Sequence, residues 1–165
     1  MNQEQLCAQL KELAFSADLS DEAIGQIAES SSVIEHAAGT ILFREGSIHQ
    51  ALLLICSGAV ALEMCVPARG CVRLLTLGSG DMVSWSALLG RGEMTATAIV
   101  TQDARMIAIS ASRLLEICRS NHEVGYQIMQ RMAQALSRRL LATRLQLLDL
   151  FSAEPPAITS STAER

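Results

Sequence analysis

Aromatic residues make up only 3% of these 165 residues, with a single tryptophan and a single tyrosine. A core must therefore be built from Leu, Ile, Val, Ala and Met, and a hydrophobic content of 50% is ample for one domain of this length. Positive charge is also short: 13 Lys and Arg stand against 17 Asp and Glu, for a formal net charge of -4. That balance gives the whole chain no electrostatic footprint for nucleic acid, and direct DNA binding is not expected. No apolar segment follows the polar opening Met1-Asn2-Gln3-Glu4-Gln5 to act as a secretory signal. No run is long and apolar enough to span a bilayer, since Ala51 to Ala61 is interrupted by Ser57 and Gly58. The expected setting is cytoplasmic, without a membrane partner.

Catalytic and metal-binding patterns are missing as well. His36, His49 and His122 are far apart and show none of the paired spacing of a metal site, so a cupin-like metalloenzyme has no support. No Ser/His/Asp or Cys/His arrangement emerges from residue order, and the reading is of a protein that is not an enzyme. The five cysteines, Cys7, Cys56, Cys65, Cys71 and Cys118, contain no C-x-x-C pair and are expected to be mostly reduced. Cys65 and Cys71 flank Val66-Pro67-Ala68-Arg69-Gly70, a hairpin connection, and are read as two reduced, half-buried strand residues. The alternative is a disulfide across that turn acting as a redox switch.

What is present is a clear change of pattern along the chain. Leu6, Cys7, Leu10 and Leu13 suit a short amphipathic helix over Glu4 to Ala14. Ser20 is a good N-cap for a second, with Asp21 and Glu22 in its first turn and Ala23, Ile24, Ile27 and Ala28 as its apolar face. From Val33 to about Ser110, short β-rich runs follow: Thr40 to Phe43, Leu52 to Ile55, Ala59 to Val66, Val72 to Leu77, Thr95 to Val100 and Met106 to Ile109. Gly39, Gly46, Gly58, Gly70, Gly78 and Gly80 are read as the turns between them. Several short strands with regular turns predict an antiparallel β-roll, jelly-roll-like, within an α+β domain.

After Ser110 the pattern turns helical. A helix carrying Leu114, Leu115 and Ile117 ends near Ser120-Asn121, and a longer one runs from about Glu123 to Phe151. Met129, Met132, Leu136, Leu140, Leu147 and Leu150 form one apolar line along it, and Leu141, Leu145 and Leu148 a second. Two lines imply two surfaces to bury, so the helix is expected to make a homodimer; the alternative is a groove of its own domain. Arg131, Arg138, Arg139 and Arg144 are read as a solvated face or as interchain ion-pair partners. The organisation is N-terminal helices over 1–32, β-roll over 33–110, C-terminal helices over 111–151 and a disordered Ser/Thr/Ala/Pro tail over 152–165.

Gly39-Thr40-Ile41-Leu42-Phe43-Arg44-Glu45-Gly46, Gly58, and Gly80-Asp81-Met82-Val83-Ser84-Trp85-Ser86-Ala87-Leu88-Leu89 stand in an order that resembles the sensor domain of Crp/Fnr-type regulators and the cyclic-nucleotide-binding-domain superfamily. The resemblance covers residues 15 to 150 and extends to Arg138-Arg139-Leu140 and Arg144 to Phe151, which look like the end of the family's dimerisation helix. It implies a phosphate cassette in which an Arg forks onto the cyclic phosphate, a Glu accepts from the ribose 2′-OH, and a short helix offers its amides. Gly80, Asp81, Ala87, Leu88 and Leu89 match that cassette. Ser84 stands at its Gly position, Trp85 at its Glu position and Met94 at its Arg position, followed by Thr95, Ala96 and Thr97.

A cyclic phosphate in such a pocket is left desolvated and unpaired, which costs several kcal/mol, on the order of what an unpaired buried charge costs elsewhere. Arg91 could swing in, although Glu93 beside it competes. Trp85 between Ser84 and Ser86 either stacks an apolar ligand or, with Met94, plugs the pocket; plugging is the favoured reading. Iron–sulfur sensing of the Fnr type needs a closely spaced cysteine cluster, which Cys7 alone does not supply, and no Cys/His pair is placed for haem, so no cofactor is assigned. The chain reads as a non-catalytic sensor or signalling module without a helix-turn-helix segment. The alternatives are a protein-interaction module with a filled pocket, or a transcription regulator acting through a DNA-binding partner.

Overall fold

The computed structural model describes residues 2–66 and 70–152. Helix α1 (Gln3–Glu12) begins with a capping box, in which the Asn2 and Gln5 side chains each accept from the other's backbone N–H. It buries Leu6 and Leu10. Helix α2 (Asp21–Glu29) starts at Ser20, whose hydroxyl accepts from Ala23 N at 3.2 Å, and buries Ala23, Ile24, Ile27 and Ala28 as its spacing predicts. The Ser31 hydroxyl then donates back to Ile27 O at 2.6 Å, where the chain leaves the helix for strand β1 (Ser31–His36).

Five further strands complete one antiparallel sheet: β2 (Ile41–Phe43), β3 (Ala51–Val66), β4 (Gly70–Leu77), β5 (Met82–Val83) and β6 (Thr97–Ser110). The order is β1-β6-β3-β4, with β2 also on β6 and β5 also on β3. This is the expected β-roll, and β3 explains why its sequence shows no apolar/polar alternation over Leu52 to Ile55. Leu52 and Leu54 belong to a core cluster shared with the helices, while Leu53 and Ile55 belong to a second cluster inside the roll. A strand covered on both faces is apolar throughout.

Two expected breaks are absent. The runs around Gly58 form one 16-residue strand, and those ending at Val100 and starting at Met106 form one 14-residue strand. Gly58 is therefore not a turn. It sits at a register shift between Ser57 and Ala59 with φ +86°, where a Cβ would lie 2.3 Å from Asp103 O. A bulge needing positive φ and close backbone approach carries the same glycine signal as a turn.

Helix α3 (Ala111–Ser120) buries Ala111 and Leu114, and Asn121 Oδ1 accepts from Val124 N at 3.2 Å to open helix α4 (His122–Ser152). Val124, Ile128, Met132 and Ala135 form the face of α4 that packs on its own domain. Met132, read from sequence as part of a dimer line, is thus a core residue at 1% exposure. At 3.6 residues per turn Met132 stands about 60° around the helix from Met129 and Leu147, toward the side of Val124, Ile128 and Ala135, which is why it alone of the described line is fully buried. Met129 and Leu136 are half-buried at the border, while Leu140, Leu141, Leu145, Leu147 and Leu148 are 50–61% exposed. The Leu150 side chain and the tail beyond Ser152 lie outside the described residues.

The reading of Cys65 and Cys71 as reduced, half-buried thiols is corrected. The hairpin makes them direct cross-strand partners, with Cα atoms 3.9 Å apart, and they form a disulfide at the exposed end of β3 and β4. The thiols of Cys7, Cys56 and Cys118 are free and half-buried.

Candidate functional site

The cassette is held by backbone hydrogen bonds before any side chain enters. Gly80 N donates to Ile55 O at 2.8 Å, Ile55 N donates to Asp81 O at 2.9 Å, and the Asp81 carboxylate accepts from Gly78 N at 2.9 Å. These bonds fix the entry into β5, which pairs Met82 with Leu54 and Val83 with Leu53. At Ser84 the backbone turns left-handed, with φ 59° and ψ 34°. That conformation is natural for glycine and rare for serine. The Ser84 hydroxyl, 2.7 Å from Ala51 O and 2.6 Å from Val83 O, ties the turn to strand β3. A three-residue 3-10 turn, Trp85–Ala87, follows, with Leu88 N donating to Trp85 O at 3.0 Å.

On the facing side, Met94 is clamped by two backbone bonds: Met94 N donates to Ser47 O at 2.9 Å, and Gly46 N donates to Met94 O at 2.8 Å. Its side chain is 2% exposed and belongs to the core inside the roll. Trp85 is half-buried and packs on the helix-side core. The space left between Trp85, Met94, Phe43, Leu62 and Ser84 is about 20 Å³. That is room for roughly one water, whereas small-molecule sites run from about 300 Å³ upward. Larger spaces lie elsewhere, including an open groove of about 570 Å³ walled by Gln26, Glu29, Arg113 and Glu116 of α2 and α3. It is a polar surface groove that shares no residue with the cassette.

The remaining sequence candidates separate cleanly. Ser86 is buried and Ala87 half-buried within the turn, while Thr95 is exposed at the cavity rim. Arg91 is exposed and does not line the cavity, so the swing that would return a positive charge from that side is not made.

A positive charge does reach the cassette, from a residue that the sequence assigns to a solvated face or to an interchain ion pair. Arg139 of α4 lines the cavity and donates through Nη2 to Met82 O. Burial pushes its guanidinium below the ordinary arginine range; Asp81 pulls it back up and Arg138 adds to the lowering. The signal was available. Arg139 continues the inward spacing of Val124, Ile128, Met132 and Ala135, and only the arginine's charge argued for solvent. Arg131 is likewise engaged within the chain, paired with Asp18.

Histidines play no part in the cassette cavity. The His49 ring stacks near Phe43, with centroids 5.3 Å apart, and burial lowers its pKa. Among the described residues, no three His, Cys, Asp or Glu side chains converge to hold a metal ion, and no helix is long and apolar enough to cross a membrane.

The fold agrees with the comparisons to known proteins. The cyclic AMP receptor protein of Thermus thermophilus is 32% identical over 116 residues, covering 70% of this chain and 51% of that protein. This chain therefore spans about half the length of that curated relative. A putative cyclic nucleotide-binding protein from Geobacter metallireducens superposes with a TM-score of 0.72 at 26% identity, covering 85% of this chain and 98% of the other. The sensor domain of the transcriptional regulator DNR from Pseudomonas aeruginosa gives 0.70 at 17% identity, over 84% and 93% of the two chains, a likeness of fold alone. The Cyclic nucleotide-binding domain family matches residues 33–121, the stretch from β1 through the cassette to the end of α3. With the β-roll and the sequence relationship in agreement, the chain belongs to the cyclic nucleotide-binding domain family and carries a regulatory domain of the Crp/Fnr type.

Proposed function

We propose that this domain is a non-catalytic regulatory module whose cassette is closed by its own side chains and does not take cAMP through Glu/Arg chemistry. The observation that supports this reading is the cavity of about 20 Å³ between Trp85 and Met94, where relatives of the family type would offer a phosphate site. A cyclic phosphate entering there meets a thioether and an indole at the positions of the cassette's Arg and Glu, and the guanidinium that does line the cavity, that of Arg139, already donates to Met82 O. The phosphate charge loses water and finds no bidentate partner on the roll.

In the family, ligand at the cassette repositions the closing helix. Here the link between cassette and helix is made within the chain, by Arg139 reaching from α4 to Met82 O. The helix is thereby held against the cassette without an external ligand, and its outer leucines are offered to a second copy. Leu140 and Leu147 continue the heptad line beyond the domain's own core, exposed at 53% and 50%, and a cytoplasmic homodimer through α4 covers them.

Isothermal calorimetry with cAMP and cGMP tests the closed cassette. No saturable heat is expected at millimolar nucleotide. A one-site isotherm with micromolar affinity refutes the reading and returns the domain to the nucleotide receptors.

A further inference from the structure

The arm formed by the ends of β3 and β4 is built unlike the rest of the sheet. Strand β3 is paired on both sides as far as Glu63, which faces Thr97 of β6 on one side and Arg73 of β4 on the other. Beyond that point, among the described residues, Met64↔Val72, Cys65↔Cys71 and Val66↔Gly70 are paired only with each other. Met64, Cys65, Cys71 and Val72 are all exposed, and none of them belongs to either core cluster. A two-stranded ribbon without a third strand or an apolar cover is marginal in water. Among the described residues its covalent constraint is the Cys65–Cys71 bond, which closes a loop with a sequence separation of 6, beyond the Glu63–Arg73 ion pair at the base.

We propose that Cys65 and Cys71 form a reversible thiol–disulfide site that sets the order of the β3–β4 arm, exchanging with low-molecular-weight or protein thiols. Both sulfurs belong to exposed residues, which gives an attacking thiolate access. For reduction, the thiolate of a dithiol attacks one sulfur, the Cys65–Cys71 bond breaks and a mixed disulfide forms. The dithiol's second thiolate then displaces the protein sulfur, and the reductant leaves as a disulfide. Two electrons and two protons end on the cysteine pair. Oxidation runs in reverse with glutathione disulfide, which leaves as two glutathione thiols.

The other cysteines do not compete well for this chemistry. Cys7, Cys56 and Cys118 are half-buried, and burial raises the thiol pKa of both Cys56 and Cys118, opposed at Cys56 by Arg105. Fewer thiolates at those positions means slower exchange. The arm also has a route inward, because Leu62, which lines the cassette cavity, sits at its base beside the register shift between Leu62 and Glu63.

The test uses the full chain equilibrated with glutathione and glutathione disulfide at a series of ratios. Alkylation and peptide mass mapping should show Cys65 and Cys71 losing reactivity together, as one crosslinked peptide pair, while Cys7, Cys56 and Cys118 stay alkylatable. Amide hydrogen exchange over residues 61–77 should slow on oxidation by roughly tenfold or more, the scale expected for closing a short loop. A C65S/C71S variant should show neither change, and a variant with Ser at the three other cysteines should show both. Independent alkylation of Cys65 and Cys71 across all ratios, or unchanged exchange on forming the bond, overturns the proposal.

Discussion

Arg139 carries more of the cassette than its place on a charged helix implies. Its guanidinium is partly shielded from water over Met82, with Asp81 as the neighbouring charge that offsets the cost. Replacement by methionine keeps the aliphatic packing and removes the donor. Arg139→Met is expected to lose about 1.5–3 kcal/mol of stability in denaturant unfolding, the range for a hydrogen bond involving a charged group. Amide exchange should rise in α4 near residue 139 and in β5. An unchanged stability and exchange pattern would mean that the guanidinium bond holds nothing. His49 makes a different contribution. Burial depresses its pKa below 6.5, and its buried Nε2 has no hydrogen-bond partner among the described residues. The unfolded chain therefore binds more protons than the folded one as pH falls through about 6.5, so stability is full above that value and declines below it. Melting temperatures measured from about pH 8 to pH 5.5 should fall on the acid side. His49→Phe, which keeps an aromatic ring against Phe43, should flatten that fall; an equal fall in the variant assigns it to other groups.

At the level of elements, Gly58 decides whether β3 and β6 can be continuous. A methyl group there meets Asp103 O at 2.3 Å and Ala104 Cα at 2.6 Å, both backbone atoms that cannot rotate away, at φ +86°. Gly58→Ala is expected to cost about 3–5 kcal/mol in chemical unfolding, combining backbone strain with a forced shift of β6. A cost below about 1 kcal/mol would show that the bulge yields easily. The same glycine marks the limit of what the chain reveals before folding. Helix α2 was legible because Ser20, its acidic first turn and Ile24/Ile27 all point the same way locally. The strand pairs were legible in type and not in length, since a bulge and a turn leave the same local mark and only the partner strand tells them apart. In the cassette, the substitutions at 84, 85 and 94 were visible one by one. The left-handed backbone of Ser84 follows from its glycine-like position. The arrival of Arg139 does not, because it depends on where α4 lies across the roll. Cys65 and Cys71 stand as neighbours across a hairpin in the sequence, where only a reducing setting argues against a bond; their shared register joins them.

For the whole molecule, the outer leucines of α4 and the closed cassette are two sides of one arrangement. With α4 docked by Arg139 and Met132, Leu140 and Leu147 face away from the domain. Leu140→Glu and Leu147→Glu should each convert a dimer into a folded monomer in sedimentation equilibrium, with the helical circular dichroism of α3 and of the first turns of α4 retained. A monomeric unsubstituted chain, or a dimer indifferent to both changes, would remove α4 as the pairing element. The measurement that bears most directly on the closed cassette is the emission of Trp85, the sole indole of the chain, during titration with cAMP. Emission that stays constant to millimolar nucleotide, with the same maximum throughout, is what a self-filled cassette gives. A saturable shift in the micromolar range, abolished when Arg139 is replaced by methionine, would show that the pocket opens to a cyclic phosphate and that Arg139 binds it.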